Sequence, residues 1–306
     1  MPTLEQKQDY YVGRFSAMAC PCEILVDTTD EPIASQITKF AESEAKRIEH
    51  KLSRYSEGNI IHQINSGNKI TVDEETARLL DYSQKLFELS EARFDITSGV
   101  LRRAWKFDGS ANVPEQADIE ALLPLIGWEK VQWESPVITL PRGMEIDLGG
   151  IGKEYAVDRA AQQVQSFFDT QDLQHQQVSV LLNFGGDISV LAPKNQRGRS
   201  WTIGIDTGID GGTIHHDKNN THTLIALSSG GVATSGDSRR FLIKDDKRYG
   251  HILDPRTGWP VNNTPASVTV AADTCTDAGM ISTLALLNGC EAENFLIDQG
   301  VDYWLR

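Results

Sequence analysis

The residues of this chain best suited to chemistry lie between positions 234 and 261. His251 can exchange a proton near neutral pH, and an Asp-Pro-Arg-Thr-Gly segment follows it at residues 254–258. Pro255 fixes its own φ and Gly258 permits a positive φ, so this segment is predicted to be a rigid bend. Such a bend can hold an imidazole and a guanidinium beside a phosphate. An ordinary hairpin with a polar tip has the same pattern, so this stretch alone leaves both interpretations open.

A glycine-rich passage at residues 149–152 is the second candidate for chemistry. It leads into a predicted helix, and backbone N–H groups at the start of a helix can bind phosphate. Lys153 adds a cation at that position, and Asp147 adds a hydrogen-bond acceptor at the predicted end of a strand. The glycine spacing matches neither GxGxxG nor the P-loop pattern, so on its own it indicates a phosphate site only weakly.

Apolar periodicity predicts the elements that would position these side chains. Amphipathic helices are predicted at residues 32–52 and 73–92, and apolar helices at residues 277–288 and 291–299. A loop that packs inward is predicted at residues 94–107. Strands are predicted within residues 10–28, 131–140, 178–192, 201–205, 223–227 and 267–272. Because strands and helices alternate irregularly and several strands form hairpins, the pattern predicts an α+β fold with mixed or antiparallel sheets.

The composition limits the kind of partner. Of the 306 residues, 43 are acidic and 29 are basic, and the formal net charge is −14. A chain this acidic is not expected to bind nucleic acid over a broad surface, although one local basic pocket can still hold an anion. The four cysteines have no zinc-like spacing and indicate reduced thiols. His215, His216 and His222 lie among Gly, Asp and Asn, which favours a solvated loop over a metal cluster.

The sequence as given has no recognisable export or membrane segment. Residues 1–25 lack an apolar run behind a basic start, and no apolar run approaches the ~20 residues of a membrane span. We therefore expect a cytoplasmic location for the sequence as given, or a periplasmic one if an export segment was removed.

Nine segments in order carry a resemblance to a known family. They are FSAMACPCEI, LSRYSEGNIIHQIN, FDITSG, IDLGGIGKEYAVDRA, LLNFGGDISV, WTIGI, VATSGD, YGHILDPRTGWPV and STLALLNG. By these segments the chain resembles the FAD:protein FMN transferases, the ApbE family, along nearly its whole length. The two most specific segments are IDLGGIGKEYAVDRA and HILDPRTGWPV, in that order and at that separation. The resemblance implies a single domain over residues 1–306 with a T-fold-like α+β architecture.

The resemblance also implies an activity and a set of site residues. Family members bind FAD, split its pyrophosphate with Mg²⁺, pass FMN to a Thr or Ser hydroxyl of a flavoprotein and release AMP. His251 is implied as the base that accepts the proton of the incoming hydroxyl. The implied FAD contacts are Met18, Ser53, Arg54, Tyr55, Phe94, Asp95, Asp147, Lys153, His251 and Ile252. The implied metal ligands are the backbone carbonyl of Gly150 and the side chain of Thr283.

One departure from the family pattern concerns the metal. The family has Ala-Asp in this region and a Thr four residues after the Asp, and the position of that Asp is occupied here by Gly279. The nearest carboxylate is Asp277, which is about 200° round a regular helix from Gly279. Asp277 can therefore serve as the ligand only if the helix begins after it. On this basis the sequence predicts weakened Mg²⁺ binding, and it predicts that Gly279→Asp strengthens metal-dependent turnover.

The missing Asp leaves an alternative function open. A chain that has lost the metal can still bind FAD as a flavin carrier, or hydrolyse FAD to FMN and AMP without transfer. The retained Asp147, Lys153 and HILDPRTG segment favour the transferase.

Overall fold

The fold is centred on an eight-stranded sheet in which every pairing is antiparallel. The computed structural model describes residues 2–108, 112–170, 178–192, 200–205, 223–236, 241–245 and 247–306. The strands are β1 (Thr3–Gln6), β2 (Tyr11–Ala17), β3 (Cys20–Val26), β4 (Ile70–Thr71), β5 (Gln132–Glu134), β6 (Val137–Thr139), β7 (Val180–Phe184), β8 (Asp187–Leu191), β9 (Trp201–Ile205), β10 (Thr223–Leu227), β11 (Gly230–Gly236), β12 (Phe241–Lys244), β13 (Lys247–Gly250), β14 (Ser267–Ala272) and β15 (Asp302–Leu305). The large sheet has the order β1-β2-β3-β7-β8-β11-β14-β15, and the remaining strands form smaller sheets of order β10-β9, β12-β13 and β4-β6-β5.

Helices cover the large sheet and meet one another above it. They are α1 (Glu31–Leu52), α2 (Ile60–Asn65), α3 (Glu74–Leu89), α4 (Gln116–Leu122), α5 (Gly152–Thr170), α6 (Cys275–Leu287) and α7 (Ala292–Gln299). Helix α5 packs against α1, β8 and α6, and α6 packs against β11 and β14. The start of α5 therefore lies close to β8 and α6, which is where the candidate chemistry is found.

Local sequence signals explain where the helices begin. Asp30 accepts a hydrogen bond from the backbone N–H of Ile33 and caps α1, while Asp73 and Thr274 cap α3 and α6 in the same way. A side-chain acceptor at this position satisfies one of the N–H groups that the first turn leaves unpaired. The caps place α6 two residues earlier than the apolar pattern predicts, because the helix already includes Cys275.

Three apolar clusters hold these layers together. The largest joins the sheet to α1, α5 and α6 through fully buried residues such as Ile24, Ile37 and Phe184. A second cluster, around Leu101, Trp105, Ile119 and Leu242, underlies the segment before β14. The third is built from Leu181, Ile188, Val190, Trp201, Ile203 and Val232. The second cluster supports the bend at residues 254–258.

Most predictions of fold are confirmed and two are corrected. The α+β class, the long helices and the strands within residues 178–192, 201–205, 223–227 and 267–272 are confirmed. Residues 145–148, predicted as the end of a strand, have irregular backbone instead. The loop predicted at residues 94–107 contains a 3₁₀ helix, Ile96–Arg103. Within the described ranges, none of the helices is both long and apolar enough to cross a bilayer.

Candidate active site

The corner between β2 and β3 places Met18 beside the start of α5. Met18 and Ala19 have φ values of 55° and 56°, which fall in the left-handed region that glycine usually occupies. The backbone N–H of Met18 donates to Oε1 of Glu49 at 2.8 Å, and this bond ties the corner to α1. A Cβ atom on Gly152 would lie 3.9 Å from Cε of Met18. The Met18 side chain thus borders the glycine-rich loop, and its contact with FAD stays a prediction.

Arg54 and Asp147 form an ion pair next to that loop. Oδ2 of Asp147 pairs with the Arg54 guanidinium, and Oδ1 accepts the backbone N–H of Gly149 at 2.9 Å. The guanidinium lies 4.8 Å from the centre of the Tyr55 ring and donates to its hydroxyl. Ser53, the residue that follows α1, accepts the N–H of Tyr55 through its hydroxyl. Nε of Arg54 is buried without a hydrogen-bond partner, and the Tyr55 ring is 80% exposed.

Phe94 and Asp95 support the other side of the glycine-rich loop. A Cβ atom on Gly150 would lie 3.4 Å from the ring of Phe94, so the ring packs directly against this part of the loop. Both oxygens of the Asp95 carboxylate accept hydrogen bonds from within the chain, from Thr97 and from the backbone of Trp128. Burial raises the pKa of Asp95 despite these bonds. The side chain of Asp95 therefore joins the start of the 3₁₀ helix at Thr97 to the backbone of Trp128, and its contact with FAD stays a prediction.

Lys153, the second residue of α5, pairs with Asp187 at the start of β8. Nζ of Lys153 lies 2.6 Å from Oδ2 of Asp187, a carboxylate that is nearly fully buried. Burial lowers the pKa of Lys153, but the attraction of Asp187 outweighs this and the pKa is raised. The turn Gly185–Gly186, with φ values of 64° and 106°, aims Asp187 at α5. This pair holds a cation at the end of the glycine-rich loop.

Glu154, the third residue of α5, lies against Gly279 of α6, and the sequence analysis missed it. A Cβ atom on Gly279 would be 2.5 Å from Cγ of Glu154 and 3.1 Å from its Oε1. Glu154 is only 9% exposed, and its Oε2 has no hydrogen-bond partner in the part of the chain that the structure describes. Burial, followed by the charge of Asp187, raises the pKa of Glu154 to about 8. No local pattern in the sequence reveals this contact, because it joins two distant helices.

The two predicted metal ligands on α6, Thr283 and Asp277, have different surroundings. Thr283 is one turn after Gly279, and its hydroxyl lies 2.9 Å from that of Ser235 on β11. Asp277 is inside the helix and exposed, and its carboxylate accepts the hydroxyl of Thr274 at 2.7 Å. The condition that the helix begin after Asp277 is not met. The proposal of Asp277 as a ligand is therefore corrected.

The bend at residues 254–258 is present, and His251 and Ile252 lie on the chain that leads into it. Gly258 has a φ of 72°, and its carbonyl accepts a hydrogen bond from Nε1 of Trp105 at 2.8 Å. Arg256 pairs with Asp254 at 2.6 Å inside the bend through its Nε and Nη2 atoms. A contact between this guanidinium and a phosphate stays a prediction.

His251 lies at the junction of two apolar clusters. Its ring is 6.2 Å from that of Phe107, which packs against the second cluster, while Ile252 packs against the largest one. A pocket of about 280 Å³ opens beside Ile252, and Tyr249, Trp259 and Leu286 line it in part. Gly250 and Ile252, the two neighbours of His251 in the chain, both line this pocket.

Some predicted features fall outside the described residues. They are His215, His216 and His222, and Asp237 at the end of the VATSGD segment. Among the residues that are described, no group of three or more His, Cys, Asp or Glu side chains has the arrangement of a metal site. A cation held by the described residues alone would therefore depend on fewer carboxylates together with hydroxyl, carbonyl, water or phosphate oxygens.

The site as a whole joins the glycine-rich loop to a charged cluster. The glycine-rich loop lies between the Arg54–Asp147 pair and Phe94 and ends at Lys153, so it combines helix-start N–H groups with a cation. Such an arrangement suits a diphosphate. The roles of the individual residues remain predictions.

Comparison with known proteins shows the family of this chain. The model of the ApbE family matches residues 18–305. A FAD:protein FMN transferase of Klebsiella pneumoniae is 29% identical over 293 residues, which cover 92% of this chain and 84% of that protein. The crystal structure of an ApbE protein from Thermotoga maritima is similar at a TM-score of 0.81 and 31% identity, covering 97% of this chain and 94% of that one. The apo flavinyl transferase ApbE of Pseudomonas stutzeri shares the fold at a TM-score of 0.78 and 22% identity, covering 99% and 91%.

Proposed function

The chain belongs to the ApbE family and is a transferase, and from that premise we propose that it moves FMN from FAD to a Thr or Ser hydroxyl of a flavoprotein and releases AMP. The observation that carries the proposal is the glycine-rich loop that ends at the Lys153–Asp187 pair. The relatives named FAD:protein FMN transferase support the choice of substrate.

The proposed reaction exchanges a phosphoanhydride bond of FAD for a phosphoester bond to the acceptor. The acceptor oxygen attacks the phosphorus nearer riboflavin, and the bond from that phosphorus to the bridging oxygen breaks. AMP leaves with the bridging oxygen, and the acceptor keeps FMN through a new phosphodiester. The hydroxyl proton passes to His251. Positioning and neutralisation of charge supply most of the rate in reactions of this type.

The chain's own residues provide that positioning. The N–H groups at the start of α5 and the Lys153 ammonium neutralise the charge of the diphosphate. Met18 and Phe94 border the loop and limit where a flat ring system can lie. Arg54 and Tyr55 close the side of the loop that is exposed to solvent. Each of these groups is held by a contact to the scaffold, so little ordering is needed when FAD binds.

Mg²⁺ is part of the proposal, and the residues present fit it. Oε2 of Glu154 is a buried carboxylate oxygen without a hydrogen-bond partner, and hydroxyl oxygens of Ser235 and Thr283 lie on the neighbouring elements. Oxygen donors of this kind suit a hard divalent cation. Bound there, Mg²⁺ would neutralise charge on the phosphates and the leaving group. The buried carboxylate favours the transferase over the binding-only alternative, which depended on a missing carboxylate.

Measuring AMP and covalent flavin together tests the proposal. The protein is incubated with FAD, Mg²⁺ and a flavoprotein domain with an acceptor Thr, and chromatography and in-gel flavin fluorescence follow the products. We expect AMP and labelled acceptor in equal amounts, and none of either with EDTA. Free FMN with AMP and no labelled acceptor would identify a hydrolase. FAD binding without either product would identify a carrier.

A further inference from the structure

The side chain of Glu154 on α5 packs directly against Gly279 on α6. Real Cβ atoms essentially never approach another heavy atom within 3.0 Å, and a Cβ on Gly279 would lie 2.5 Å from Cγ of Glu154. The Glu154 side chain therefore occupies the space in which a side chain at position 279 would begin. Glu154 can lie where it does only because position 279 has no side chain.

One oxygen of the buried Glu154 carboxyl group lacks a partner. Among the described residues its Oε2 has no hydrogen-bond partner, and the residue is 9% exposed. The neighbouring Asp187 already has the ammonium of Lys153 at 2.6 Å. The Lys153 ammonium is thus engaged by Asp187, and a buried polar atom without a partner is costly. A divalent cation would supply the partner that Oε2 lacks.

We propose that Glu154 supplies the carboxylate ligand of a divalent cation that α6 does not provide at Gly279. The inference rests on the proposed function, because that function supplies the reason for a cation. Glu154 reaches the space beside Gly279 from α5, one helical turn from Thr283 on α6. In this proposal the carboxylate ligand comes from α5, the hydroxyl ligand from Thr283 on α6 and the carbonyl ligand from Gly150 on the glycine-rich loop.

Asp277 is a poorer candidate than Glu154 for the carboxylate ligand. It is exposed, lies on another face of α6 and accepts a hydrogen bond from Thr274 as part of the helix cap. Because Asp277 is close to the site in sequence and has the same charge, Asp277→Asn is a matched control for Glu154→Gln. Both variants replace a carboxyl group by an amide of nearly the same size.

Titration with Mn²⁺ alone, followed by the EPR signal of the free ion, tests the proposal without using catalysis. We expect Glu154→Gln to weaken Mn²⁺ binding roughly tenfold or more, since even the loss of a residue that only orients a ligand costs 10–100-fold. Asp277→Asn is expected to bind as the wild type does. The double variant Glu154→Gly with Gly279→Asp moves the carboxylate back to α6 and is expected to recover most of the affinity.

Several results would overturn the inference. Wild-type affinity in Glu154→Gln, an equal loss in Asp277→Asn, or no Mn²⁺ binding by the wild-type protein would each do so. Circular dichroism checks that each variant is folded, and Glu154→Asp, which keeps the charge on a shorter side chain, gives a second measurement with an expected intermediate affinity. Flavin transfer is assayed separately. Mn²⁺ bound through Glu154 without transfer contradicts only the proposed function, and transfer with an unchanged Mn²⁺ affinity in Glu154→Gln contradicts only this inference.

Discussion

Gly279→Ala has opposite expected effects on stability depending on whether Glu154 is present. In the wild-type protein the new Cβ would be 2.5 Å from Cγ of Glu154, so one of the two helices must shift in a close-packed interior. Overpacking of this kind costs about 1–3 kcal/mol. The same change replaces a glycine inside α6 by the best helix former, which contributes roughly 0.8–1 kcal/mol in the other direction. We expect a net loss of up to about 2 kcal/mol in the free energy of unfolding.

In a Glu154→Ala background the colliding atoms are absent, and only the gain in helix propensity remains. Gly279→Ala is then expected to stabilise by about 1 kcal/mol, so the coupling energy between the two positions is about 1–3 kcal/mol. Urea unfolding of the four proteins in EDTA, followed by circular dichroism, measures this coupling. Equal effects of Gly279→Ala in both backgrounds would refute the close contact. The same contact reverses the prediction from sequence that Gly279→Asp strengthens turnover: with Glu154 in place, we expect the variant to be destabilised and less active.

Three further predictions concern charge and the proposed base. In EDTA, the free energy of unfolding should fall as pH rises from about 4.5 to about 8, because folded Glu154 keeps a proton that the unfolded chain releases. Thermal unfolding of Glu154→Gln over the same pH range should lack the part of this fall that Glu154 causes. His251→Ala should slow FMN transfer by about 10²–10⁴-fold with little change in FAD affinity, measured by single-turnover kinetics and FAD fluorescence; wild-type turnover would rule out His251 as the base. Lys153→Met leaves Asp187 buried and unpaired and should cost about 3 kcal/mol in urea unfolding; adding Asp187→Asn should recover part of the loss, and no recovery would contradict the pairing.

Features of the site that depend on local sequence were predictable, and those that depend on contacts between distant segments were not. The bend at residues 254–258 follows from Pro255 and Gly258, whose backbone preferences are intrinsic. The role of Glu154 depends on how α5 packs against α6. In the sequence, Glu154 cannot be told apart from an ordinary polar residue in the first turn of a helix. Asp277 was considered because it is near Gly279 in the sequence, yet the capping hydroxyl of Thr274 starts the helix before it.

The difference between local and long-range contacts also applies to Lys153 and Asp95. The sequence indicated that they belong to the site but not which partners they have. The sequence indicates that Lys153 is a cation at a helix start, but the burial of its partner Asp187 depends on the Gly185–Gly186 turn between two strands. Asp95 was expected to border a ligand, and its hydrogen bonds to Thr97 and Trp128 could not be foreseen from a single segment. Helix and strand predictions succeeded because apolar periodicity reports burial directly.

The intact mass of an acceptor flavoprotein domain tests the central claim most directly. The domain is incubated with this protein, FAD and Mg²⁺, beside a matched domain in which the acceptor Thr is replaced by Ala. The account predicts that the first domain gains the mass of one FMN group linked through a phosphodiester, while the Ala domain and the EDTA control gain nothing. An unchanged mass of the Thr domain, under conditions in which FAD is bound, would contradict the account.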